Sequence, residues 1–170
     1  MASSALSTRG RRLGPRRFHL GRILVASDLG AKSGRVLEVA IELAREVNAA
    51  MEIVHVDDPV SAVFDAPLPV FEAGLRLVDD AGSEGSAERI ANIDQHLAAQ
   101  AQRARDRGVV CVTTSLAGHP ASEVVAHMRK ISVDLVVLGV ERWRLPASSR
   151  EPVGLAVARH APTPTLLVPL

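Results

Sequence analysis

Short apolar runs alternating with amphipathic segments along residues 20–170 predict an α/β fold, a doubly wound parallel sheet with helices on both faces. Three observations carry the prediction. The runs that read as strands are apolar almost throughout, as strands buried on both faces must be. The segments between them repeat apolar residues at helical spacing. Each such segment also suits a right-handed crossover, which leaves parallel pairing as the natural arrangement. With 170 residues, 47% of them hydrophobic, one packed domain is expected. Phe18, Phe64, Phe71 and Trp143 are the only aromatic residues, so the core must be built from Val, Leu, Ile and Ala. One cysteine excludes an intramolecular disulfide framework and a cysteine-rich zinc site. No apolar run approaches the roughly 18 residues of a spanning helix, and a soluble, cytoplasmic protein is expected.

Arg22-Ile-Leu-Val-Ala-Ser27 reads as the first strand, and Asp28-Leu-Gly30 turns the chain. In the next segment Val36, Ala40, Leu43 and Val47 line one side with Leu37, Ile41 and Ala44 beside them. Lys32, Arg35, Glu38, Glu42, Arg45 and Glu46 take the other positions, which makes an amphipathic helix. Met51–Val56 is a second strand, ended by Asp57, Asp58 and Pro59 because proline cannot continue the ladder. Residues 58–85 contain Pro59, Pro67, Pro69, Gly74, Gly82 and Gly85 and are too long for a plain connection. A partly ordered flap with a short helix over Val70–Val78 is expected there. From Ser86 to Arg107, Ile90, Ile93, Leu97, Ala101 and Ala104 recur at helical spacing. Acids near its start (Glu84, Glu88) and Arg103, Arg105 and Arg107 at its end oppose the helix dipole, and Gly108 is a suitable stop. Val109–Leu116 reads as the third strand and Pro120–Ile131 as a helix with proline in its tolerated first turn. Val133–Gly139 is the fourth strand, Ser149–His160 a short helix and Thr163–Val168 the fifth strand.

The net charge of +1 conceals an asymmetry. Residues 1–17 carry Arg9, Arg11, Arg12, Arg16 and Arg17 and no acid, so this arm is +5 and the rest of the chain −4. The arm lacks the continuous apolar stretch of a secretory signal. Residues 1–19 are read as a basic, disordered extension outside the fold, and residues 20–170 as the folded domain. Contact of the arginines with nucleic acid or another anionic surface, or a transit-like targeting peptide, are the alternatives.

Four local matches then stand in order. They are Ile23-Leu-Val-Ala-Ser-Asp28; His55-Val56 at the exit of the second strand; Gly118-His-Pro120 before the third helix; and the closing pair Val133-Asp-Leu-Val-Val-Leu-Gly139 with Arg159-His-Ala-Pro-Thr-Pro-Thr-Leu-Leu-Val168. Together, over about residues 20–170, the chain resembles the universal stress protein family. The resemblance implies a five-stranded parallel sheet in the order 3-2-1-4-5, a homodimer paired through the C-terminal strand and, in one branch, bound ATP with Mg²⁺. An order reversing between strands one and four leaves a crevice at their carboxyl ends, where a ligand would sit. Carried over from the ATP-binding branch, Asp28 would contact the nucleoside and the Val56 backbone the adenine. The bland reading of Asp28 is a turn or helix-entry carboxylate.

The phosphate loop departs from the family pattern. The ATP-binding branch has a glycine after strand four, a second three residues on, and a third, followed by Ser or Thr, before the last helix. Here Gly139 keeps the first, Arg142 replaces the second, and Glu151-Pro152 stand opposite the third and its hydroxyl residue. Glu151 sets a carboxylate where backbone N–H groups would face phosphate, and Pro152 has no N–H. Arg142, Arg144 and Arg150 could offset that charge through guanidinium forks. Glu151 could also cap the last helix itself, closing the anion site from within.

Other groups are weighed more briefly. His55 and Asp57 share a strand face and could bind a metal or form a base and its orienter, but a histidine at a strand end is easily satisfied by backbone. His119, His127 and His160 are dispersed, and Cys111 reads as a small buried residue. No nucleophile, Walker lysine or paired carboxylates support turnover. The reading is a regulatory homodimer without enzymatic activity or bound cofactor, acting on an unidentified protein partner. An ATP-binding sensor is the alternative.

Overall fold

The computed structural model describes residues 19–58, 84–140 and 151–170. The arm, nearly all of the expected flap, and Arg142 with its neighbouring arginines lie outside the described residues. Within them the elements are β1 (Arg22–Ala26), α1 (Ser33–Val47), β2 (Ala50–Asp57), α2 (Glu84–Asp106), β3 (Cys111–Ala117), α3 (Pro120–Lys130), β4 (Leu135–Val140), α4 (Val153–His160) and β5 (Thr165–Pro169). Every strand pair is parallel, in the order β3-β2-β1-β4-β5. None of the described helices is long and apolar enough to cross a membrane.

Two-residue periodicity divides the core into two layers. Ile23, Val25, Met51, Ile53, Leu135 and Val137 face α1 and α2, meeting Leu37, Ile41, Leu97 and Ala101. The alternate positions Leu24, Val54, Val136 and Leu138 face α3 and α4, meeting Val124, Met128 and Val157. Both layers are aliphatic, as the composition requires.

Helix ends follow the local chemistry. Gly108 (φ +81°) ends α2 with its N–H on Arg105 O (2.8 Å) while Val109 N donates to Ala104 O (3.1 Å). Asn48 (φ 54°) ends α1 in the same double-bonded way. The bond from Val109 N to Ala104 O holds Val109 in the cap of α2, and β3 starts at Cys111 rather than at Val109. Likewise α4 starts at Val153, later than the expected Ser149, because Pro152 is its N-cap at φ −54°, ψ 133°. Ion pairs join α1 to α2: Arg107 meets Glu38 (3.1 Å) and Glu42 (2.9 Å), and Arg103 also meets Glu38.

One buried polar cluster interrupts the second layer. Glu52 Oε1 accepts hydrogen bonds from Thr114 Oγ1 (2.8 Å) and His127 Nε2 (2.7 Å), tying β2 to β3 and α3. Glu52→Ala would leave two part-buried donors without their acceptor and is expected to cost about 2 kcal/mol in urea unfolding. Glu52→Gln keeps an acceptor and should recover part of that loss.

Candidate functional site

The carboxyl ends of β1, β2 and β4 converge on one edge of the sheet, and the turn after β1 is held by its own hydrogen bonds. Ser27 N donates to Val54 O (2.9 Å), and Ser27 Oγ accepts from Leu29 N (3.2 Å). Asp28 Oδ1 accepts from Gly30 N (2.9 Å), a local turn that holds Leu29 at φ 59°. Ser33 Oγ then donates to Gly30 O (2.6 Å), seating the start of α1 on the turn. Asp28 is exposed, and one bond leaves its carboxylate further acceptor capacity.

Val56 lies near the end of β2 in register with Leu116 of β3 and packs on the second layer. Gly139 stands in register with Val168. A Cβ at Gly139 would lie 2.8 Å from Leu170 Cδ1 and 3.1 Å from Val36 Cγ2, so those side chains already fill its α1-facing side. Its carbonyl oxygen is equally close-packed: a Cβ on Gly154 of α4 would come within 2.5 Å of it. Gly154 therefore lets α4 rest on the end of β4. The sequence reading did not single out Gly154, Ser27 or Leu170; a glycine in the first turn of a short helix was the available signal for the first.

Glu151 sits just before α4, and its Oε1 accepts from Arg159 Nη2 at 2.7 Å. Self-capping is thus corrected: among the described residues no side chain caps α4, and Pro152 O accepts from Leu155 N (2.9 Å) and Ala156 N (3.0 Å). The carboxylate turns instead to a guanidinium two helical turns on. Asp28, Val56 and Gly139 share one edge of three adjacent strands, and the Gly154 contact brings α4, which Glu151 precedes, against Gly139.

Residues 19–169 match the sequence model of the Universal stress protein family. The chain belongs to that family. The stress response protein NhaX of Bacillus subtilis (strain 168) is 29% identical over 134 residues, covering 72% of this chain and 81% of the relative. A universal stress protein solved in complex with cAMP superposes with a TM-score of 0.60 at 20% identity, covering 88% of this chain and 97% of the other. The universal stress protein from Archaeoglobus fulgidus in complex with dAMP gives 0.58 at 16% identity, covering 88% and 98%. At such identities the structural likeness shows the fold.

In this universal stress protein His55 Nδ1 lies 2.8 Å from Ser27 O, and Asp57 Oδ2 accepts from Arg89 Nε of α2 at 3.1 Å. Each of the two has its own partner. Among the described residues no three His, Cys, Asp or Glu side chains are grouped to hold a metal ion. His160 Nδ1 meets Ala156 O (2.9 Å), and His119 Nδ1 lies 3.4 Å from Ser122 Oγ.

Cys111 is buried at the start of β3, and its thiol is pushed up to about 11, mainly by burial, with Arg105 opposing and Glu52 reinforcing the rise. The neutral thiol is the form the fold favours, so its contribution is complete below the ordinary thiol value of 9.0 and is lost as pH rises from there through about 11. Slow reaction of the native protein with a thiol reagent at pH 8 is expected, rising sharply on unfolding.

Proposed function

We propose that this universal stress protein is a regulatory binding domain of the cytoplasm, a homodimer paired through β5, whose nucleotide-type crevice has a degraded phosphate loop and which acts in the stress response by docking a protein partner. Catalysis plays no part in this reading. The observation that carries it is Glu151-Pro152 at the entrance of α4, with the carboxylate held by Arg159. The residues present fit one half of ATP and not the other. A nucleoside would find the exposed Asp28 carboxylate at the end of β1 and the end of β2 at Val56. A triphosphate would find a fixed carboxylate and an imino nitrogen with no proton to donate. Two unit charges about 4 Å apart repel by roughly 4 kcal/mol at an effective dielectric of about 20, and the Arg159 pair offsets only part of this.

The dimer reading rests on β5, which lies at an open edge of the sheet and exposes 37% of Leu167. Sedimentation at micromolar concentration should give the mass of two chains.

The second reading, an ATP-binding sensor, draws support from the relatives solved with cAMP and dAMP and from Arg142, Arg144 and Arg150. Calorimetric titration with ATP and Mg²⁺, after assay of the purified protein for carried nucleotide, separates the two. The leading reading expects no submillimolar binding; stoichiometric binding in that range would replace it with the second.

A further inference from the structure

The two edges of the sheet are not equivalent. β3 and β5 lie at opposite ends of the strand order, and β3 is the longer. Val110 O accepts from Met51 N (2.8 Å) and Gly118 N donates to Asp57 O (3.0 Å), so Val112, Thr114 and Leu116 between them also turn their backbone groups toward β2. Cys111, Thr113, Ser115 and Ala117 turn theirs outward. Among the described residues the outward N–H and C=O groups of Thr113, Ser115 and Ala117 have no hydrogen-bond partner. On β5 the outward positions are Thr165, Leu167 and Pro169, since Pro164 O accepts from Val136 N and Leu170 N donates to Val140 O, and proline has no N–H to offer. The longer row of free donors therefore belongs to β3.

Side chains around the start of β3 give that edge a chemistry. Cys111 packs in the layer under α1 and α2, so Val110 and Val112 point to the opposite face, where they are 72% and 54% exposed. On the α2 face the exposed Arg105 donates Nε (3.2 Å) and Nη2 (2.8 Å) to Cys111 O, which leaves Nη1 with no acceptor among the described residues. No described acid pairs with this guanidinium. Asp106 meets Gln102, Glu38 and Glu42 are held by Arg103 and Arg107, and Glu52, in register with Val112, is engaged by Thr114 and His127. Arg105, Gly108, Val109, Val110 and Cys111 line an open hollow of about 380 Å³ at this point.

We propose that the open edge of β3 binds an extended strand of the protein partner, one that carries a carboxylate between two apolar residues. The inference rests on the functional reading above and names its docking surface. An added strand pairs its main chain with the outward groups of Thr113, Ser115 and Ala117. Alternation then fixes the side chains. The residue opposite Cys111 turns to the α2 face, where Arg105 offers its remaining donors to a carboxylate, and its two neighbours turn to the other face beside Val110 and Val112. A second copy of this chain fits less well, because neither β3 (CVTTSLA) nor β5 (TLLVP) holds an acid to meet Arg105.

The test is fluorescence anisotropy of the full chain with a labelled peptide, Val-Asp-Val-Thr-Thr-Thr-Val-Thr, made in both directions. One direction is expected to bind with a dissociation constant below about 100 µM. Asn in place of the peptide's Asp should weaken binding at least about tenfold, and Arg105→Gln should remove most of that difference. Methylating alternate backbone nitrogens of the peptide should weaken binding at least about tenfold for one set and little for the other, since only one set faces β3. Ser115→Pro should weaken it as much, because it removes an outward N–H and leaves the ladder to β2 intact. Circular dichroism checks the fold of that variant, and the methylated peptides carry the same question on the parent protein. No binding of either direction at about 1 mM, equal effects of the two methylated sets, an Asn peptide that binds like the Asp peptide, or a folded Ser115→Pro chain that binds like the parent would each overturn the proposal. Sedimentation showing assemblies beyond two chains that Ser115→Pro abolishes would give the edge to a second copy and overturn it as well. Absence of peptide binding without ATP binding overturns the β3 surface alone, whereas submillimolar ATP binding overturns the functional reading whatever the peptide does.

Discussion

Replacing Glu151 with glycine and Pro152 with serine together is expected to raise the affinity for ATP·Mg²⁺ at least about tenfold by calorimetry, since even a third of the roughly 4 kcal/mol repulsion is a factor of ten. The pair of changes acts on two physical causes at once. Glycine removes the carboxylate that Arg159 now holds and frees that guanidinium toward the crevice. Serine restores an N–H at the helix entrance and adds a hydroxyl, both able to donate to a phosphate oxygen. Each single change should give less than the pair, because a new donor beside a remaining carboxylate still faces its charge. An unchanged affinity would place the obstruction elsewhere, at Arg142 or at Leu170 and Val36 over Gly139, and would remove the observation on which the functional reading rests.

Gly154→Val is expected to destabilise the fold by about 3 kcal/mol, lowering the melting temperature by roughly 6–12 °C. A Cβ there would sit 2.5 Å from Gly139 O and 3.1 Å from Val140 Cγ2. The first neighbour is backbone in the sheet and cannot rotate away, so α4 has to lift from β4. Val157, fully buried between α4 and the second layer, would lose contacts in the same movement. Thermal unfolding followed by circular dichroism measures the effect.

The two periodicities made most of this fold readable in advance. Apolar positions of α1, Val36, Leu37, Ala40, Ile41 and Ala44, are the ones buried against the sheet, and the near-continuous apolar character of β1 and β4 matches their place in its middle. The polar Thr113, Thr114 and Ser115 of β3 fit its position at an edge. Most boundaries shifted by one or two residues, and the start of α4 by four, where Pro152 intervened. The candidate site was legible as far as Asp28, Val56 and Gly139, which the parallel topology gathers at one edge. Its closest packing, Gly154 on Gly139 and Leu170 beside it, was not legible, because a missing side chain carries no sign of what approaches it.

Taken by itself, the sequence determined the order of strands and helices, the aliphatic layers, the absence of an amide N–H at Pro152 and the uneven distribution of charge. All of these are properties of residue type and short-range spacing, which backbone geometry translates directly into faces and ends. Tertiary structure alone decided that Glu151 pairs with Arg159 instead of capping α4, and that Glu52 meets both Thr114 and His127. It also decided that Asp134 holds the amides of Gly21 and Arg22 at the entry to β1. Such pairings depend on how layers stack and where loops close in space, and a side chain's chemistry says only that it needs a partner.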